Sequence, residues 1–430
     1  MKKSIIGLLW GESTLKVMAI LYDSVITAFL LQLGLKNTQI GLLWSVVLLT
    51  QMLFDYPTGS FADRYGRLKI FTIGMVLTGS AIVMIAYSVN ISMLYISAIL
   101  MGIGESQISG TLFPWFVNSL DKVENLQEKE EYILKSNGQV QYSTNIIGIL
   151  TGFIISFLNL DYKFILILAG TFQAINGILI YFSFQDNKSI EANLMKIGKK
   201  SFQVFLKENK LWIYTLVMTI HYSFYSVHLF IWQPRANLLG VIGSKLTGIN
   251  SVYLSCLVVS GLIIKYKKEI KNYLYVLCVI LIPISLIIIY QSQNLILYLL
   301  GTILLGLSNG MVAPQIMSTV HYFIPDEVRS SVISLLSSLS SIFLIFLQVI
   351  IGKILDIKGN YYLEMLCVLF GIIYIICIVL ILKWLRENKK PIVVSGFTNE
   401  YSNITWIIML ITIGTHINAI LFLTHKIIFL

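Results

Sequence analysis

The chain has 430 residues, of which 57% are hydrophobic and only 12% are charged. A soluble globular domain carries about 25% charged residues, so this composition excludes an ordinary soluble enzyme. Apolar runs of about 20 residues, long enough to cross a bilayer as helices, recur along the whole chain. The sequence therefore predicts an all-α membrane protein.

The net charge of +10 orients the chain and does not indicate a nucleic-acid surface. When the N-terminal side is taken as the inside, 23 of the 31 lysine and arginine residues fall in inner segments. Six fall in outer loops, and this difference is the positive-inside bias of membrane proteins. We expect a multi-pass protein of the cell membrane, of bacterial type, with the lipid bilayer as its surroundings and no nucleic acid as partner.

Twelve helical spans are predicted, in two groups of six separated by a polar stretch. The first group covers 9–34, 37–60, 68–88, 91–119, 136–160 and 163–184. The second group covers 211–237, 243–264, 271–290, 294–321, 328–352 and 361–384. The predicted domains are an N-terminal bundle, a cytoplasmic linker, a C-terminal bundle and a tail, at 1–184, 185–210, 211–385 and 386–430. Within the tail, residues 404–430 are apolar enough to span the membrane or to lie on its inner surface.

Neither a metal nor a cofactor is expected. The four cysteines all lie inside apolar runs, where they act as small hydrophobic residues: Cys256, Cys278, Cys367 and Cys377. No Cys/His cluster has metal-ligand spacing, and no nucleophile–base pair at membrane depth predicts an enzyme.

The first predicted helix carries three ionisable residues on one face. Glu12, Lys16 and Asp23 fall within about 40° of one another at 100° per residue. Glu12 and Lys16 are four residues apart and predict a local ion pair. Asp23 lies near the midplane, where an ionisable group is costly and by default indicates a functional site. We expect it to bind a proton or a cation; the alternative is a buried aspartate that is hydrogen-bonded to a neighbouring helix.

The seventh predicted helix has one aromatic and titratable face. Its members are His221, Tyr225, His228, Trp232 and Arg235. Lipid does not favour such a face, so it predicts contact with a cavity, where aromatic rings hold cationic or flat molecules. Aromatic packing with hydrogen-bonded histidines gives the same pattern and stays an open alternative.

Two further polar residues lie at membrane depth. Glu105 in the fourth predicted helix either binds substrate or protons, or pairs with Lys16 or a histidine. Asn309 in the tenth either contacts substrate or forms a hydrogen bond between helices. The predicted substrate-binding and proton-binding residues are therefore Asp23, Glu105, His221, Tyr225 and Asn309.

A polar stretch between the second and third predicted helices, Asp55 to Lys69, carries a family resemblance. Five of its residues match the spacing G-x-x-x-D-R-x-G-R: Gly59, Asp63, Arg64, Gly66 and Arg67. This pattern resembles the signature of the major facilitator superfamily. The Pro-Thr-Gly entry at 57–59, with Asp55 before it, resembles the drug-efflux branch of that family. The resemblance implies two six-helix bundles with the substrate between them, and a cavity lined by helices 1, 4, 7 and 10.

The resemblance also implies a gate on the inner side. Asp63 would accept hydrogen bonds from the amides that begin the eleventh helix, near Arg329, with Arg64 and Arg67 in support or bound to anionic lipid. The second half has Lys265 where Asp63 would be, so we expect one strong inner latch and one weaker counterpart. Two features depart from the family, because the fourth helix has no arginine and the fifth has no glycine–proline pattern.

These features predict a secondary transporter that works by alternating access. We expect proton-coupled export of a small organic compound, amphipathic or cationic, by a monomer. The alternatives are an uncoupled facilitator or importer of a small solute, and a non-transporting membrane sensor or scaffold with a transporter fold.

Overall fold

The computed structural model describes residues 2–120, 126–187, 202–267, 272–325, 329–357 and 361–388. Within these ranges, ten helices are long and apolar enough to cross a membrane. The all-α membrane class predicted from composition is thereby confirmed.

The helices follow one another through short connections. Residues 2–187 form α1 (Lys2–Gln32), α2 (Asn37–Tyr65), α3 (Arg67–Ala86), α4 (Ile91–Ile108), α5 (Leu112–Asn118), α6 (Leu126–Ser156) and α7 (Tyr162–Ser183). Residues 202–388 form a short α8 (202–207), then α9 (Asn209–Leu238), α10 (Lys245–Lys267), α11 (Asn272–Gln291), α12 (Leu295–Val320), α13 (Arg329–Asp356) and α14 (Tyr361–Glu387). These two parts are called the N-terminal half and the C-terminal half below.

Local caps define where several helices begin on the predicted outer side. Asn90 accepts a hydrogen bond from Met93 N at 2.9 Å at the start of α4. Asp161 and Asn294 cap α7 and α12 in the same way, at 2.7 Å and 2.8 Å. Such caps satisfy amides that have no partner within the helix.

The start of α2 is capped differently, by a carboxylate from the other half. Asp356, at the end of α13, accepts hydrogen bonds from the main-chain amides of Asn37 and Thr38, both at 2.9 Å. Their side chains add two more, from Asn37 Nδ2 at 3.0 Å and from Thr38 Oγ1 at 2.6 Å. One carboxylate therefore ties the outer ends of the two halves with four hydrogen bonds.

Close helix approaches extend this contact between the halves. At Gly41 in α2, an added Cβ would overlap the carbonyl oxygen of Gln348 in α13. At Gly152 in α6, an added Cβ would lie 2.8 Å from the carbonyl oxygen of Thr247 in α10. Glycine at these two positions lets the backbones of opposite halves touch.

A pair of reciprocal bonds closes the α6–α10 side. Ser244 N donates to the carbonyl of Leu160 at 2.9 Å, and Leu160 N donates to Ser244 Oγ at 3.1 Å. The halves are therefore joined near the ends of the helices that the charge distribution assigns to the outside.

The predicted helix boundaries need three corrections. The polar stretch that begins at Asp55 is helical as far as Tyr65, so Gly66 alone connects α2 and α3. The predicted fourth span is broken, because α4 ends at Ile108 and Gly110 adopts a φ of 69° before α5. The fifth begins earlier than predicted, at Leu126, because a charged segment can stay helical outside the bilayer.

Gly66 has both a special conformation and a crowded neighbour. Its φ is 113°, and an added Cβ would overlap the carboxylate of Asp186. That carboxylate caps α3 by accepting hydrogen bonds from Leu68 N at 2.8 Å and Lys69 N at 3.1 Å. The glycine of the signature therefore allows the segment that follows α7 to cap α3.

We expect Gly66→Ala to lower the free energy of unfolding by about 2–3 kcal/mol, because it adds backbone strain and displaces the cap. Gly240→Ala is the matched control, since Gly240 also has a positive φ, of 81°, but nothing lies within 4 Å of its added Cβ. The control should cost only the strain, about 1–2 kcal/mol. Thermal unfolding in detergent measures both, and equal losses would contradict the role of Asp186.

Candidate transport site

Asp23 stands out on α1 because its side chain is half-buried while its neighbours are not accessible. Every residue from Ser24 to Leu30 is buried, as are Ile20 to Tyr22. Asp23 lies nine residues from the end of α1 at Gln32, about 14 Å at 1.5 Å per residue. The carboxylate is therefore at membrane depth, at an opening in an otherwise packed surface.

Glu105 on α4 is a second carboxylate at membrane depth, farther from the outer side than Asp23. Its half-buried carboxylate interacts electrostatically with Asp23 and with Asp55. Counted from the outer helix ends at Ile91 and Asn37, Glu105 is about 21 Å deep and Asp55 about 27 Å deep. The three carboxylates therefore descend along the N-terminal half, from mid-depth toward its inner end.

Tyr225 brings the C-terminal half to the same place. Its side chain on α9 is 43% exposed and interacts electrostatically with Asp23, Glu105 and Tyr253. Tyr253 on α10 accepts a hydrogen bond from Asn309 Nδ2 at 2.9 Å. Four of the five predicted site residues are thus connected, with Tyr253 linking Asn309 to the rest.

His221, the fifth predicted site residue, lies in a different contact. Its Nδ1 is 3.0 Å from the hydroxyl of Tyr374 on α14, within the same half. This contact favours the alternative stated above, a hydrogen-bonded histidine in aromatic packing.

The other members of the predicted α9 face also turn toward different neighbours. His228 stacks between the rings of Trp232 and Tyr253, with centroid distances of 5.9 Å and 5.3 Å. Arg235 Nε donates to the carbonyl of Ser292 at 2.6 Å. His228 is therefore in contact with Tyr253, which links Asn309 to Tyr225, whereas His221 and Arg235 contact other parts of the C-terminal half. Helical periodicity groups residues by direction and does not say what lies opposite.

Lys16 is the cation nearest to the acidic group along α1. It interacts electrostatically with Glu12, as the four-residue spacing predicts, and also with Asp23. An added Cβ at Gly148 would lie 2.8 Å from Lys16 Cγ, so α6 packs against the aliphatic part of this side chain. The stem of Lys16 is therefore packed against α6, while its ammonium group interacts with carboxylates on both sides of it along α1.

The residues connected to Asp23 form a site of hydrogen-bond acceptors that is bordered by the aromatic side chains of Tyr225 and Tyr253. Asp23 and Glu105 supply carboxylate oxygens, and Asn309 Oδ1 is buried without a partner among the described residues. Within the same part of the chain, no group of three or more His, Cys, Asp or Glu residues is arranged to hold a metal ion. Such a site suits a ligand that carries positive charge or several N–H donors.

Two residues that make contacts at the site and between the halves were not among the predicted site residues. Tyr253 stands three residues after Asn250 and two after Ser251, a polar cluster that could have drawn attention to α10. Gln233, on α9, contacts α1 across the interface between the halves. In the sequence, Gln233 stands in the Trp-Gln-Pro step at 232–234, and this pattern does not reveal which residues the side chain contacts.

The predicted gate motif is described in part. Arg64 is exposed and lies over the ring of Tyr65 at 5.4 Å, and Arg67 N donates to the carbonyl of Asn187 at 3.2 Å. The structure does not describe the other parts of the predicted gate, which are the side chain of Asp63, the surroundings of Gly59 and the side chains of Lys265 and Arg329. The segment 404–430 also lies outside the described residues. The inner latch therefore stays a prediction.

Comparisons with known proteins agree with this architecture. The family model of the Major Facilitator Superfamily matches residues 17–347. The uncharacterized MFS-type transporter YxaM of Bacillus subtilis (strain 168) is 21% identical over 397 residues, which cover 90% of this chain and 98% of the relative. The chain therefore belongs to the major facilitator superfamily and is a transporter of that type, with a small molecule as its substrate.

Solved structures share the fold at low sequence identity. A peptide transporter POT in complex with sulfate aligns with a TM-score of 0.67 at 12% identity, over 90% of this chain and 94% of that one. The nucleoside transporter NupG aligns with a TM-score of 0.66 at 12% identity, over 89% and 99%. A bacterial homologue of the human lysosomal transporter Spinster, inward-facing and unoccupied, aligns with a TM-score of 0.60 at 12% identity, over 89% and 94%.

Proposed function

We propose that this protein is a proton-coupled exporter of small organic compounds, amphipathic or cationic, working by alternating access in a cell membrane. The proposal includes twelve membrane-spanning helices in two six-helix bundles and a place in the drug-efflux branch. One observation carries it: the half-buried carboxylates of Asp23 and Glu105 interact electrostatically at membrane depth, and both interact with Tyr225 of the opposite half, whose side chain is 43% exposed. Carboxylates in such a position can bind a proton or an organic cation in alternation.

The contacts between the halves support alternating access. The hydrogen bonds of Asp356 and Ser244 and the close approach of the helices at Gly152 lie near the outer helix ends. This arrangement therefore corresponds to a state closed to the outside. The Spinster homologue, whose structure is inward-facing, shares the fold. In this state Asp23 and Glu105 would exchange their ligand with the cytoplasm.

The test is transport of tetraphenylphosphonium in proteoliposomes, with and without an imposed pH gradient. We expect the gradient to drive transport by the wild type, and Asp23→Asn to reduce the gradient-driven rate roughly tenfold or more, since tenfold corresponds to about 1.4 kcal/mol. Glu364→Gln is the matched control, because Glu364 bonds Gln291 at 2.7 Å within the C-terminal half, away from the site.

The outcomes separate the alternatives. A rate that is indifferent to the gradient in the wild type would favour an uncoupled facilitator. Gradient-driven transport that persists unchanged in Asp23→Asn would remove Asp23 from the proton pathway. No transport of any tested solute, with binding at the tail, would favour a sensor or scaffold.

A further inference from the structure

The helical turn of α1 that carries Asp23 is bound directly by Gln233 of the opposite half. Gln233 Nε2 donates to the main-chain carbonyl of Asp23 at 2.7 Å, and Gln233 Oε1 accepts from Ala28 N at 2.9 Å. The glutamine side chain is 0% exposed. A single amide group thus holds both ends of the turn from Asp23 to Ala28.

Two more hydrogen bonds reach the same turn from the C-terminal half. Thr27 Oγ1 donates to the carbonyl of Leu229 at 3.1 Å on α9, and Asn250 Nδ2 of α10 donates to Ser24 Oγ at 3.0 Å. Together with Gln233, they make this turn a principal contact of α1 with the opposite half. The turn that presents the candidate binding carboxylate is therefore also part of the outer closure.

Gln233 differs in this respect from other buried glutamines. Gln173 is also 0% exposed, but its amide contacts Met75 within the N-terminal half. Gln348 donates to Ser226 at 3.1 Å within the C-terminal half. Both Gln173 and Gln348 leave their Oε1 atoms without a partner in the described structure, whereas both polar atoms of Gln233 are paired across the interface.

Separation of the outer ends has to break the bonds of Gln233. Opening exchanges these bonds for bonds to water, and an intramolecular hydrogen bond keeps a small net advantage in that exchange, so the two bonds favour the closed arrangement. The carbonyl and the carboxylate of Asp23 belong to one residue, so a shift of α1 at this residue, caused by binding at the carboxylate, changes the geometry of the carbonyl bond to Gln233. Two processes that share one residue in this way influence each other reciprocally.

We propose that Gln233 is a positioning residue that couples the state of the Asp23 carboxylate to closure of the outer ends. The inference rests on the proposed function for its biological meaning, since it assigns to Asp23 a ligand that comes and goes. The coupling itself is a property of α1, α9 and their contact, and it can be measured without transport.

The test uses distances between spin labels in the full chain, reconstituted in liposomes. Leu33→Cys and Leu238→Cys place labels at the outer ends of α1 and α9, where the side chains are 42% and 76% exposed. The four native cysteines are replaced in this background. Gln233→Met keeps the size and removes both hydrogen bonds, and we expect it to raise the ratio of long to short distances roughly tenfold. Gln173→Met is the matched control and should leave the ratio unchanged.

A double-mutant cycle with Asp23→Asn tests the coupling. In the Gln173→Met background, Asp23→Asn should change the distance ratio as it does in the wild type. In the Gln233→Met background, its effect should fall at least threefold. If the Asp23 and Gln233 effects simply add, or if Asp23→Asn never changes the ratio, the coupling is overturned. Should Gln233→Met fail to fold, Gln233→Asn takes its place, since it adds no charge beside Asp23 and shortens the side chain by one methylene group, which weakens the bonds to Asp23 and Ala28.

The outcome of the double-mutant cycle can be distinguished from the outcome of the transport experiment. A non-additive cycle without gradient-driven transport of tetraphenylphosphonium would support the coupling and count against the proposed export. Gradient-driven transport lost in Asp23→Asn, together with an additive cycle, would support the export and overturn the role of Gln233.

Discussion

Replacing Asp356 with alanine is expected to shift the transporter toward an arrangement that is open to the outside. The substitution removes four hydrogen bonds to Asn37 and Thr38 and leaves the first amides of α2 without their acceptor. Loss of a helix cap costs about 1–2 kcal/mol, so the ratio of open to closed molecules should rise roughly five- to thirtyfold. Spin-label distances across the outer ends of α2 and α13 measure this ratio.

Asp161→Ala provides the control for Asp356. Asp161 also caps a helix on the outer side, but it caps α7 within its own half through Phe164 N at 2.7 Å. Its loss should lower the melting temperature without changing the ratio of open to closed molecules. If Asp161→Ala and Asp356→Ala change that ratio equally, the Asp356 contact is only a local cap.

Gly41→Ala is expected to oppose closure of the outer side even more strongly. An added methyl group would overlap the carbonyl oxygen of Gln348, which is main chain and cannot rotate away as a side chain can. Overpacking at such a contact costs about 1–3 kcal/mol, and here separation of the halves relieves it. We expect transport to fall because the closed state is disfavoured, while the protein stays folded. Accessibility of an outer-facing cysteine to a membrane-impermeant thiol reagent reports the change.

Two other glycines separate this effect from ordinary packing. At Gly79 an added Cβ would lie 2.5 Å from the carbonyl oxygen of Gly170, within the N-terminal half. Gly79→Ala should therefore lower stability without favouring either state. Gly261 has nothing within 4 Å of its added Cβ, so Gly261→Ala should change neither. A state shift in Gly79→Ala as large as in Gly41→Ala would refute the explanation.

Much of the fold was predictable because membrane helices leave a strong signal. Long apolar runs, the positive-inside bias and the signature around Gly66 all depend on local sequence. The end of α2 was misjudged for the same reason. The second predicted span ends at residue 60, because the polar stretch indicated a short turn, yet the helix continues with polar side chains as far as Tyr65.

The candidate site was predictable in part. Asp23 and Glu105 were identified because ionisable residues are rare at membrane depth, and the structure brings them together. The contact of His221 with Tyr374 was not predictable, because periodicity gives a direction on one helix and no neighbour. Gln233 was missed because its partners are more than 200 residues away in the chain.

The cap of α2 is supplied by Asp356 of the other half, and this has a consequence for how the protein is made. The chain is synthesised from its N-terminus, so α2 enters the membrane long before Asp356 exists. Until α13 is inserted, the amides of Asn37 and Thr38 depend on water or lipid head groups at the outer surface. A newly made N-terminal half therefore lacks the acceptor for the first amides of α2, and this end of α2 is completed only when α13 of the other half has been inserted.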